Sequence, residues 1–181
     1  MAQARTITVY SFSELNDDAK AYAIKDYRSA GMEPAWCDEW IDSMRAFEKV
    51  APIYNVKFEA GGWRCPSVSF LPYGGYYIDD VMSLSGVRAW KWLVNNGWRD
   101  LATNQDCPFT GYCGDENLLD AIRKALKNPR GIASIYDVFN DCLHDWVFAF
   151  NADLEHQESD DYISEMLEEN GYEFMDDGSL A

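Results

Sequence analysis

The sequence predicts an α+β fold, a small antiparallel sheet covered by about five or six helices, in a single compact domain over residues 1–181. Three observations predict it. Apolar residues recur at helical spacing in several capped stretches. Two short stretches alternate apolar and polar residues around a glycine pair. A chain of 181 residues is long enough for one sizeable core, burying roughly 70% of its unfolded surface. No internal repeat, low-complexity tract or Pro/Ser-rich linker divides it.

Taken in order, Thr6 to Tyr10 is rich in β-formers and reads as a strand. Asn16 offers an N-cap, with Leu15 as a hydrophobic staple before it and Asp17 and Asp18 in the first turn. The helix carries Ala19, Ala23, Tyr27 and Ala30 on one face and stops at Gly31. A second helix starts near Pro34, bears Trp36, Trp40, Met44, Phe47 and Ala51, and stops at Pro52. Tyr54, Val56, Phe58 and Ala60 alternate with polar neighbours, as do Val68 and Phe70. These read as two strands of a hairpin around Gly61-Gly62, the second beginning after Pro66. Residues 72–80 read as a loop. Ser85 caps a helix with Val87, Trp90, Leu93 and Val94, closed by Gly97. Residues 98–114 show no period, and a connection that long is either functional or hides a short element. Asp115 caps a helix with Leu118, Leu119, Ile122 and Leu126 that ends at Asn128-Pro129. Ser134 and Asp137 resemble a capping box opening a long helix to Gln157. Ser159 caps a last helix, with Ile163, Met166 and Leu167 inward and Gly171 as its stop. Tyr172 to Met175 reads as a short strand before an Asp177-Gly178 turn.

Charge is the least even feature. Residues 131–181 carry 14 Asp and Glu and no Lys or Arg, in a chain of net charge −16. The segment still reads as folded, because Ile135, Val138, Phe139, Cys142, Trp146 and Phe150 keep helical spacing. A chain that is 48% apolar and 15% aromatic is too apolar for a disordered acidic tail. A folded acidic surface repels itself and costs stability. A basic partner accounts for that cost; solubility alone accounts for it as well. No apolar run approaches the roughly 18 residues of a membrane span, and no signal peptide is visible. Five cysteines make an odd count, which fits reduced thiols in a cytosol. Direct nucleic-acid binding is not expected, since phosphate contacts need clustered Lys and Arg.

Three stretches, YSFSELNDDAKAYAIKDYR (10–28), CPFTGYCGDENLLDAIRKAL (107–126) and SDDYISEMLEENGYEFMDDGSL (159–180), resemble a family of small accessory proteins encoded by phages and prophages. They cover roughly a third of the chain. The family carries no established activity, so the resemblance implies no catalytic residues. It implies a setting: a phage accessory gene acting in the host bacterial cytoplasm.

Cys107, Cys113, Cys142 and His144 do not keep the close spacing of structural zinc sites. Cys142 falls on the apolar face of its helix, and His144 lies about 200° round from it. No metal or cofactor is expected. Neither His144 nor His156 is joined by sequence to a cysteine nucleophile, and no spacing singles out a carboxylate pair. No catalytic residue is therefore named, and a non-enzyme is expected. Trp63 and Trp98 follow glycines and suit either interface anchors or partial burial.

The candidate partner-binding residues are acidic. Asp137, Asp141 and Asp145 recur every fourth residue, about 6 Å apart along a helix, and lie away from the apolar stripe. Glu165, Glu168 and Glu169 form a second helical cluster, and Asp176 and Asp177 a turn cluster. Carboxylates at that spacing can imitate a row of phosphates. A solvated helix face is the plainer explanation; the absence of Lys or Arg beside them in sequence favours the partner reading. The expectation is an acidic inhibitor of a basic nucleic-acid-binding host protein or complex, a CRISPR effector or restriction-type nuclease, acting by stoichiometric binding. An antitoxin neutralising a toxin and a small enzyme are the alternatives. Oligomeric state, a homodimer included, stays open.

Overall fold

Seven α-helices and one two-stranded antiparallel sheet make up the regular structure of the described residues, as the α+β pattern requires. The structure, a computed structural model, describes residues 8–30, 36–61, 65–72, 81–104 and 107–181. None of the helices among them is long and apolar enough to cross a membrane. The chain divides into two compact units, one from Met1–Glu33 with Glu155–Ala181, the other Pro34–Leu154.

The unit made by the two ends begins with Tyr10, whose N–H and C=O exchange 2.9 Å hydrogen bonds with Phe174. The expected strands at 6–10 and 172–175 thus reduce to a single antiparallel bridge where they are described, with a second between Phe174 and Leu180; Thr6 and Ile7 lie outside the described residues. A short 3-10 turn, Phe12–Glu14, follows. Its Ser11 N–H donates to Glu14 Oε2 at 2.8 Å. Helix α1 (Asp17–Ser29) starts as its cap dictates, Asn16 Oδ1 accepting from the Ala19 N–H at 3.0 Å. Helix α7 (Asp160–Glu169) starts at Ser159, whose Oγ accepts from the Tyr162 N–H. Ala19 and Ala23 of α1, Ile163 and Leu167 of α7, and Phe12, Leu15 and Phe174 form this unit's core.

Two glycines in this unit sit at positive φ for different reasons. Gly171 (φ +66°) ends α7, and a methyl group there would meet nothing within 4 Å. Gly178 (φ +87°) closes the turn after Asp177, and a Cβ would stand 2.2 Å from the Ala19 carbonyl oxygen. Gly178→Ala therefore adds a backbone clash to the left-handed strain. It is expected to destabilise by about 2–3 kcal/mol, against about 1 kcal/mol for Gly171→Ala. Thermal melts of the two variants check the order; equal losses would place the turn off α1.

The larger unit is built on helix α2 (Trp36–Val50), whose Trp40, Met44 and Phe47 are buried. Strands β1 (Ile53–Glu59) and β2 (Ser67–Pro72) pair antiparallel. The second starts directly after Pro66, as a residue without an N–H demands. The alternation expected for 54–60 is broken by a bulge between Tyr54 and Lys57, where Asn55 takes φ +57°. The extra residue shifts the phase, so Ile53 and Val56, three apart, both face the core. The expected loop over 72–80 lies, except for Pro72, outside the described residues.

Helix α3 (Gly86–Asn95) ends at Gly97 (φ +81°), as its sequence stop predicts. Its Ser85 makes no side-chain cap bond; the Gly86 N–H instead donates to the Ile132 carbonyl at 2.8 Å. The aperiodic stretch 98–114 hides helix α4 (Trp98–Asn104). Seven residues are two turns, too few to display a period, but Trp98 and Ala102, one turn apart, are both buried. Trp98 is thus a core residue packed on Phe47 and Phe139, not an interface anchor; Trp63 lies outside the described residues.

Helix α5 (Gly114–Lys127) packs on α2 and α4. Asp115 does not cap it. The residue sits one position inside the helix, wholly buried, and its carboxylate accepts the N–H groups of Phe109, Thr110 and Gly111 at 2.8, 2.8 and 3.3 Å. The hydroxyl of Thr110 adds a contact at 3.2 Å. It folds the preceding loop back onto the helix that carries it. A 3-10 turn (Pro129–Gly131) leads into helix α6 (Ile135–Gln157).

Candidate functional site

Helix α6 carries the first acidic row, and its N-terminus is held from outside. The Ile135 and Tyr136 N–H groups donate to the carbonyls of Leu84 and Met82 at 2.9 and 3.1 Å. The Asp137 N–H donates to Ser134 Oγ at 3.0 Å, and that hydroxyl in turn donates to the Asp137 carboxylate. The expected capping box is therefore half formed: Ser134 caps the helix, and Asp137 receives the cap's own proton. With these partners the first-turn N–H groups need no solvent, and the helix is fixed where the acidic row begins.

Inward, the row is backed by Val138, Phe139, Cys142, Trp146 and Phe150, all buried. Outward, Asp137 and Asp141 are exposed and Asp145 is half-buried. All three line one groove of about 290 Å³ between α6 and α5, which Ala121, Ala125 and Ile132 floor. The carboxyl of Asp141 is pushed above the usual carboxylate range, first by burial, then by the charges of Asp145 and Asp137. Desolvation of the Asp141 carboxyl at the groove is the larger cause, and the neighbouring charges add to it.

One cation enters this groove that sequence reasoning missed. Lys124 of α5 donates to Asp145 Oδ2 at 3.2 Å, and that bond and the charge of Asp145 raise its pKa. Lys124 lies 21 residues from Asp145 in sequence, so the acidic tally of 131–181 could not contain it. The Lys124 side chain is 73% exposed and that of Asp145 36%, which limits the pair to about 0–1 kcal/mol. It opposes one of three charges and leaves the row net negative.

The other five predicted residues belong to the smaller unit. Glu165, Glu168 and Glu169 are exposed on α7, and Asp176 and Asp177 are exposed in the turn that follows it. Two of the five have structural work. Glu168 accepts the Ser13 N–H at 2.8 Å and holds the 3-10 turn. Asp177 accepts the hydroxyl and N–H of Ser179 at 2.7 and 2.9 Å, and these bonds lower its pKa. Nearby, Arg28 pairs with Asp160 and donates to the Glu158 carbonyl. The eight predicted residues therefore form a helical row in one unit and an α7-and-turn set in the other.

The candidate zinc residues are dispersed in character. Cys142 is fully buried, and burial drives its thiol well above the usual range. His144 is exposed and lies against Phe148, ring centres 4.3 Å apart. Cys113 is exposed and Cys107 half-buried. Among the described residues no group of three His, Cys, Asp or Glu is arranged to hold a metal ion.

No protein-family model, curated protein or solved structure matches this chain.

Proposed function

We propose that this protein is a phage-encoded acidic inhibitor of a bacterial nucleic-acid-binding defence machine, of anti-CRISPR or anti-restriction type. It binds its target stoichiometrically in the host cytoplasm and does so without catalysis. The carrying observation is the row Asp137, Asp141 and Asp145, fixed along one capped helix and lining one groove. A rigid row of like charges about 6 Å apart has the form of a phosphate backbone and fits a channel lined by Lys and Arg. The acidic α7 and the Asp176-Asp177 turn extend the negative surface available to such a target. The resemblance to phage accessory proteins supplies the setting.

The test is capture from bacterial lysate followed by competition. The protein should retain a nucleic-acid-binding complex, and that complex should bind either this protein or nucleic acid, not both. Recovery of a small toxin in place of such a complex would move the reading to an antitoxin. Stable ternary complexes would rule out mimicry of the nucleic acid.

A further inference from the structure

A second groove lies on the other side of α5 from the acidic one, and its charge is opposite. It has a volume of about 470 Å³ and is lined by Arg99, Arg123 and Lys127, with Thr103 at its edge and Ala102 and Leu126 on its floor. Its cations are held in place. The Arg99 guanidinium lies 5.1 Å from the centre of the Trp90 ring, and Trp90 is itself fixed by an Nε1–H bond to the Leu126 carbonyl. Arg123 Nε donates to the Ala102 carbonyl at 2.9 Å and its Nη1 pairs with Asp120 at 3.1 Å, so Arg99 and Lys127 carry the charge the groove offers a second carboxylate. Arg99 and Lys127 are exposed. No part of the proposed inhibition uses this groove.

We infer that the occupant of this basic groove is the acidic α6 row of a second copy of the chain. Three observations point there. The groove asks for carboxylates, and the same chain presents a rigid row of three. The two grooves flank one helix, with Lys124 on the acidic side and Arg123 and Leu126 on the basic side. A two-fold axis parallel to α5, in front of its exposed Asp120, Lys124 and Lys127, would set each acidic groove against the basic groove of the other copy. The contact is made twice and closes, so the product is a dimer and not a filament. The charge balance also permits it. The unit Pro34–Leu154 holds 11 Lys and Arg against 16 Asp and Glu, net −5, and most of the chain's −16 lies outside it. The dimer requires no host protein, so it stands or falls separately from the inhibitor reading.

The experiment is sedimentation equilibrium on the full chain and two charge-reversed variants. Wild type should dimerise at about 50 mM NaCl and dissociate progressively toward about 500 mM, where the screening length falls to a few ångströms. R99E/K127E and D137K/D141K should each weaken the dimer by roughly a hundredfold, because each sets like charges face to face. Mixed in equal amounts, the two variants should restore a dimer, since one is then acidic in both grooves and the other basic in both. Circular dichroism controls for folding. A wild type that stays monomeric at low salt overturns the inference. So does a variant that dimerises alone as well as wild type does, or a folded pair that fails to recombine.

Discussion

Replacing Asp115 with alanine should cost about 2–4 kcal/mol of stability, as much as truncating a buried aliphatic core residue. The reason lies in what stays behind. The carboxylate is wholly buried and accepts three successive backbone N–H groups, from Phe109, Thr110 and Gly111. Removing it strands those donors at the loop-to-helix junction; a fully buried unpaired donor costs about 1–3 kcal/mol, and the exposed Thr110 and Gly111 recover part of that from water. Asp115→Asn keeps one acceptor oxygen and should lose about half as much. Urea denaturation of both variants measures the difference. The 107–113 loop should also exchange its amide hydrogens faster in the alanine variant. If Asp115→Ala falls within about 1 kcal/mol of wild type, the loop is held by other contacts.

Neutralising the α6 row should weaken partner binding by about 100-fold or more while leaving the fold intact. Asp137→Asn, Asp141→Asn and Asp145→Asn remove three neighbouring charges from a face backed by an unchanged core. Close charge pairs across an interface are worth about 1.5 kcal/mol or more each. Folding should improve slightly. The carboxyl of Asp141 is held above its usual range, so its ionisation opposes the folded state, and amidation removes that opposition. Loss of the exposed Lys124–Asp145 pair returns at most about 1 kcal/mol. The net effect on stability is then small and the effect on binding large, the combination that separates a docking surface from a structural one.

Much of the fold was legible because its signals are local. Asn16 and Ser159 cap helices with their own side chains, Gly97 and Gly171 stop them at positive φ, and Pro66 sets the start of β2. Legibility ended where the deciding contact lies far away in sequence or the element is too short. Helix α4 has two turns and one buried pair, too little for a period to show. The phase of β1 changed at Asn55, where a left-handed residue inserts a bulge that alternation alone does not reveal. Asp115 looked like a helix cap because Asp often is one. Only the fold of residues 109–111 over it shows that its acceptors serve the loop. The acidic row was legible as spacing, since position around a helix follows from residue number. Its environment was not. Lys124 comes from another helix, and the basic groove beyond it combines residues from α4 and α5, so neither appears in a charge tally taken along the chain.

The acidic row of α6 is the surface we propose a basic partner recognises. Its most direct test is the affinity of the captured partner for two neutralised sets at two salt concentrations. One set is Asp137, Asp141 and Asp145. The other, equal in charge, is Asp17, Asp18 and Asp26 of α1. Both are changed to Asn, with circular dichroism to confirm folding. The account predicts that the α6 set slows association and removes most of the salt dependence, while the α1 set stays near wild type. A folded α6 set that binds like wild type, beside an α1 set that does not, would contradict it.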